Sequence, residues 1–209
     1  MKTHVTWTHL LAGAFCAASL CGAAFAQELP PATPHISGTQ PFHAAYAGTC
    51  TNKDDFSLTG APLFNGTNYN SGALRVFCNF AGNGTHGEFT GQLVADDQPT
   101  TSTCTLPGGG TGGKAVVPAW LFVLSFNERQ DQLFLSSNSG TDCANFAVSP
   151  PMTYPQATFT VMGGTGRFEG ASGTISFVDK SIILAFSRLA TVGVFAANSG
   201  TLDGFITLK

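Results

Sequence analysis

The segment Glu88-Phe-Thr-Gly-Gln-Leu-Val94 places Phe89 and Leu93 on one side of an extended chain and Glu88, Thr90 and Gln92 on the other. This period-two pattern belongs to a strand with one face in a core and one in water. Runs rich in β-branched and aromatic residues recur at residues 43–50, 73–80, 87–95, 116–126, 132–137, 157–162, 174–178, 182–188 and 201–208. Gly, Asn, Ser and Pro clusters separate them, the punctuation of hairpins. Helical periodicity is nearly absent. Residues 181–197 are ambiguous, because Ile182, Ile183, Phe186 and Leu189 fit a helical stripe while Val192, Val194 and Phe195 favour strand. Residues 116–126 are apolar on both faces. The outer face of that strand is therefore expected to be covered by a loop, by the N-terminal segment or by a second subunit.

Two of these runs flank Gly163-Gly-Thr-Gly-Arg-Phe-Glu-Gly-Ala-Ser-Gly173, with five glycines in eleven positions. Glycine reaches positive φ without a Cβ penalty, so the chain can fold back sharply and return Phe168 to a core as a plug. The stretch resembles the Gly-Gly-Thr-Gly-(Arg/Lys)-Phe-x-Gly-Ala-x-Gly signature of plant allene oxide cyclases, dirigent proteins and exported bacterial proteins with the same barrel. Residues 87–94 and 129–135 also resemble the uncharacterised bacterial members, which extends the similarity over residues 44–208. The resemblance implies an all-β fold: a single antiparallel eight-stranded β-barrel of the calycin type, with an apolar interior and, in the plant members, a trimeric state. No residue matches the cyclases' catalytic positions by motif, so the catalytic residues are unknown.

The first 26 residues read as a signal peptide: Lys2 precedes an apolar run from Leu10 through Ala26, and Ala24-Phe-Ala26 has the small-x-small form of a cleavage site. Cys16 and Cys21 fall inside that run, each behind a bulky residue unsuited to lipid attachment. Residues 27–43 contain Pro30, Pro31, Pro34 and Pro41 and are expected to form a tether without fixed fold. The barrel domain is expected over residues 44–209. Cleavage would leave 209 less 26, or 183 residues, a size that suits one domain. The expected location is secreted or periplasmic, with no membrane span after cleavage.

Only 10% of the chain is charged, and without Lys2 the balance is 8 basic against 12 acidic side chains. No Lys/Arg cluster is present, which excludes the counterion-release mode of nucleic-acid binding. Four cysteines follow the leader: Cys50, Cys78, Cys104 and Cys143. Their even number in an oxidising compartment points to disulfides, with three connectivities open; nearest-neighbour pairing, Cys50 with Cys78 and Cys104 with Cys143, suits a meandering sheet. Their spacing does not suit a metal.

Other chemical patterns have plain structural explanations. Gly108-Gly-Gly-Thr-Gly-Gly-Lys-Ala115 approaches a phosphate-binding loop, but Ala115 stands where a hydroxyl is required, so a hairpin loop is expected. Within the signature loop Glu169 breaks the dinucleotide-binding pattern, and Arg167 is expected to bond loop carbonyls. Asp54-Asp55 and Asp96-Asp97 are adjacent carboxylates that point to opposite faces of a strand and suit turn capping better than acid/base work or calcium binding. His35, His43 and His86 are expected to share no site. Arg75, Glu88 and Glu128 are expected on the solvent side of their strands. No cofactor and no metal is expected. Phe122, Phe126, Phe134, Phe159, Phe168, Phe177 and Phe186 would suffice to line a barrel, either filling it or leaving room for one small apolar ligand. Asn65 and Asn83 begin glycosylation sequons.

The function expected from these features is a binding or structural module, with a small hydrophobic molecule and a second copy of the chain as the partners left open. The alternative is an isomerase or cyclase acting on an apolar substrate in the lumen, and a third reading is an envelope or matrix protein working through its surface. A carboxylate or hydroxyl beside an open cavity would favour the enzyme, a purely apolar cavity the binder, and a filled barrel the surface protein.

Overall fold

The computed structural model describes residues 37–54, 74–126, 131–186 and 193–209. The expected signal peptide, residues 27–36 of the expected tether, Asp55, Asn65 and Glu128 lie outside them. The described residues form a closed antiparallel β-barrel with no α-helix among them. Its strands are β1 (Gly38–Asp54), β2 (Leu74–Gly84), β3 (Gly87–Thr105), β4 (Thr111–Phe126), β5 (Asp131–Ser137), β6 (Gly140–Asn145), β7 (Met152–Thr153), β8 (Gln156–Thr165), β9 (Ser172–Phe186) and β10 (Gly193–Leu208). Around the bore they run β1-β10-β9-β7-β6-β8-β5-β4-β3-β2, and β2 closes on β1.

The strand count among the described residues is thus ten, which corrects the expected eight. The physical reason is strand length. β5 has 7 residues and β8 has 10, too few to run the length of β4 and β9, with 16 and 15. β5 pairs with Trp120–Phe126 of β4 only; β6 takes over the wall at Gly113–Val116. Likewise β8 pairs with Gly173–Val178 of β9, and β7 continues at Ser181 and Ile182. One end of the barrel is walled without β6 and β7, the other without β5 and β8. Residues 140–145 and 152–153 have no apolar run, and their strand state comes from completing this wall.

Three further boundaries depart from expectation. β1 begins at Gly38, inside the expected tether, and Pro41 is paired with Phe205 of β10. β2 joins β1 only from Ala44 onward, so the missing N–H of Pro41 removes no ladder bond. The runs 174–178 and 182–188 are one strand, β9, through the intervening Asp179-Lys180-Ser181. The start of β10 carries Gly193–Ser199, so residues 181–186 and 193–197 are strand. The outer face of β4 is not fully covered by its own chain, since Leu121 is 44% exposed.

At one end the bore is packed. Phe42, Phe89, Phe126, Phe168 and Ile206 are buried there. The glycine-rich segment between β8 and β9 makes a short 3-10 turn, Gly166–Phe168, that inserts Phe168 at 0% exposure against Phe126, with ring centroids 4.8 Å apart. Gly166 has φ +60, and a Cβ there would collide with the Asp131 carboxylate. That carboxylate receives the Arg167 backbone N–H at 3.1 Å and pairs with its Nε at 3.2 Å, while a second Arg167 nitrogen donates to the His86 carbonyl at 2.7 Å. Arg167 thus ties the plug to the β2–β3 turn. Phe134 does not line the bore: Leu133 and Leu135 on either side of it are fully buried, so alternation turns Phe134 to the outer face.

A cavity with carboxylates at the barrel mouth

At the opposite end the inward positions become small or polar. Along β3 they read Leu93, Ala95, Asp97 and Pro99; along β9 Phe177, Asp179, Ser181 and Ile183; along β10 Val194, Ala196 and Asn198. Phenylalanine rings fill the closed end, whereas alanines here leave a cavity of about 410 Å³. Its floor is aromatic: Trp120 meets Phe177 edge to face at 5.5 Å, and the Trp120 indole N–H donates to the Val117 carbonyl at 3.1 Å. The Cys50–Cys78 disulfide and Val76 supply further apolar wall, and the exposed Phe146 and Thr100 stand at the rim. The size and mainly apolar lining suit one small organic molecule.

Asp179 is 3% exposed and sits where the lining changes from apolar to polar. Its carboxylate accepts the Tyr46 hydroxyl at 3.0 Å, the Ser181 hydroxyl at 3.0 Å and an Asn198 Nδ2 hydrogen at 2.7 Å. Asn198 Nδ2 also reaches the Ser181 hydroxyl oxygen. Gly200 makes the Tyr46 contact possible, because a Cβ at that position would occupy the space of the phenol oxygen. Burial raises the Asp179 pKa against the opposing effect of these donors, and burial together with the Asp179 charge pushes the Tyr46 phenol well up.

Two more carboxylates face the cavity. Burial, reinforced by the charge of Asp142, pushes Asp97 up to about 8. Asp142 is pushed up to about 6 by burial and the charge of Asp179, although Thr153 and the Tyr154 backbone N–H, at 2.9 Å, stabilise its ionised form. The three acids form a chain of interacting charge along one side of a largely apolar space. Two acceptor atoms of its lining residues, Asp97 Oδ1 and Asn198 Oδ1, are buried and have no hydrogen-bond partner among the described residues.

Sequence reasoning missed this site. Asp97 was expected to cap a turn; it lies within β3, on the face opposite Asp96 as the alternation requires. Asp96 is fully buried on the outer side and bonded to Arg75 at 2.7 and 3.1 Å. Asp142, Asp179 and Asn198 sit in stretches with the composition of turns. An available signal was register: Asp179 and Ser181 continue the alternation of Ile175 and Phe177 inward. Glu88 is exposed on its strand. The His43 backbone bonds Thr85, next to His86, but the two side chains have different partners: His43 is exposed, 2.9 Å from Asp203, and His86 stacks on Phe42 at the closed end. Residues 106–110 are a hairpin loop between β3 and β4.

Two cysteine pairs are bonded, Cys50–Cys78 and Cys104–Cys143, the first with the second and the third with the fourth in sequence order, as expected. They are compatible with an oxidising, extracellular compartment. Among the described residues no three His, Cys, Asp or Glu side chains converge to hold a metal ion, and no helix is long and apolar enough to cross a membrane. No protein-family model, no curated protein and no solved structure matches the chain.

Proposed function

We propose that the barrel is a container for one small, mainly apolar molecule, held in the mouth cavity with its body on Phe80, Leu93, Trp120 and Phe177. The observation that carries this reading is the division of the bore. One half is packed with phenylalanine, and the other keeps about 410 Å³ open above an aromatic floor. A protein acting only through its outer surface gains nothing from leaving half its core unfilled, because unfilled apolar volume costs stability. The test is native mass spectrometry of protein purified gently from its own host, with denaturing extraction of whatever it carries. A defined apolar species at stoichiometric occupancy supports the container. Protein that stays ligand-free after exposure to lipid and terpenoid extracts, and that binds no better than an Ala196→Trp variant with the cavity filled, sinks it.

The carboxylates favour a second reading, an isomerase or cyclase that works on the bound molecule. Asp97, pushed up to about 8, would hold its proton at neutral pH in an apolar setting, as a general acid must. The resemblance of residues 163–173 to allene oxide cyclases points the same way. Mass-neutral conversion of the extracted ligand by the wild type, lost in Asp97→Asn with binding retained, would establish this second reading; unchanged ligand would leave the container alone.

A further inference from the structure

We propose that the mouth cavity selects molecules whose apolar body carries a protonated amine, lodged against Asp97 and Asp142. The inference rests on the container reading and adds the chemistry of the head group.

The first support is the inventory of polar atoms. The donors that face the bore around Asp179 are already committed: the Tyr46 and Ser181 hydroxyls and Asn198 Nδ2 all donate to its carboxylate or to one another. Unmet capacity is on the acceptor side, at Asp97 Oδ1 and Asn198 Oδ1. Asn198 is itself only 6% exposed and is one of the residues that line the cavity. A buried acceptor without a donor is costly, and a ligand that brings N–H groups removes that cost. An ammonium group has three hydrogens to give and nothing to accept.

The second support is charge. Asp97 from β3, Asp142 from β6 and Asp179 from β9 face the space, with Tyr46 from β1 beneath them, and Lys114 of β4 at the rim is the single cation among the described lining residues. Asp97 responds to burial and Asp142, and Asp142 to burial and Asp179; Lys114 offsets neither. Arg75 is spent on the outer face against Asp96. A carboxylate- or phosphate-headed amphiphile would meet like charge from the acids, with Lys114 the single cation among the described lining residues to receive it, while a cation would relieve the repulsion within the acid chain. The raised acids also predict proton release on binding, so affinity for the amine should grow as pH rises through 6 to 8.

The test is titration calorimetry of the full-length protein with decylamine, decanol and decanoate below their micelle concentrations, at pH 5.5 and pH 8. We expect decylamine to bind about 10-fold to 100-fold more tightly than the other two at pH 8. That margin should shrink at pH 5.5, and the amine should release protons visible in buffers of different ionisation enthalpy. Asp97→Asn with Asp142→Asn should abolish the preference and leave decanol affinity in place, which separates a cavity effect from attraction by the protein's overall negative charge. Decanoate binding as tightly as decylamine, or an amine preference that survives in the double variant, overturns the proposal. Decanol binding without amine preference overturns it and leaves the container standing; failure of all three to bind removes the container as well.

Discussion

Tyr46 and Asp179 are 133 positions apart in the chain and 3.0 Å apart in the bore, where the phenol donates to a carboxylate that also holds Ser181 and Asn198. This bond joins β1 to β9 across β10, at the level where the aromatic core gives way to the cavity. Replacing Tyr46 by Phe keeps the ring stacked on Phe177, at 5.7 Å, and removes only the donor. The expected cost is about 1 to 3 kcal/mol, since a buried charged acceptor loses a partner, with the barrel retained. Urea unfolding followed by near-ultraviolet circular dichroism measures it; an unchanged midpoint would show that the phenol adds nothing.

The cavity acids make the ligand-free protein less stable as pH rises. Asp97 and Asp142 have folded pKa values of about 8 and about 6, above the ordinary carboxylate value. At these two groups the folded state therefore binds more protons than the unfolded state between about pH 4 and pH 8, and their contribution to stability falls through that window as each ionises; His86, lowered mainly by burial, binds fewer protons when folded and works the other way at acidic pH. Asp203 is lowered instead, mainly by its bond to His43, so its effect is confined to more acidic pH. The melting temperature should be higher at pH 5 than at pH 8. Asp97→Asn should flatten the slope and raise stability at pH 8 on the order of 1 to 3 kcal/mol. A slope that is flat in the wild type contradicts this account.

The Cys104–Cys143 bond ties β3 to β6, which pair with each other only through β4. It closes a loop with a sequence separation of 39. Replacing both cysteines by alanine should cost about 4 kcal/mol in the chain-entropy model, visible as a lower chemical midpoint without reductant. Wild-type protein treated with reductant loses Cys50–Cys78 as well and should fall at least as far; a double variant with the wild-type midpoint would exclude a stabilising role for this bond.

Phe168→Ala removes the plug from the closed end, where the ring touches Phe126 and His86 and carries the Arg167 guanidinium 4.8 Å above its centroid. A loss of about 3 to 5 kcal/mol is expected. The mouth lies at the far end of the barrel, so a ligand bound there should keep its affinity in whatever fraction remains folded. Loss of affinity at full folding would show that the two ends are coupled.

How much of this was readable in advance varies along the chain. Phe89, Gly91 and Leu93 face inward and Glu88, Thr90 and Gln92 face water as their alternation requires, because the period of a strand is a local property. The return of Phe168 follows from glycines whose positive φ is likewise local. β6 and β7 were invisible: Thr141-Asp142 and Met152-Thr153 have no strand pattern of their own and are drawn into the wall by β4 and β9.

Residue order by itself therefore determined an all-β chain, the faces of its clearer strands and the turn that closes one end, since each depends on a few neighbouring residues. Only the tertiary structure decided which half of the bore is filled, and that Asp97, Asp142, Asp179 and Asn198 share a cavity. Those four side chains come from β3, β6, β9 and β10. Their meeting depends on closure of the barrel and on which strand walls each end, and both are set by pairings between residues far apart in the chain.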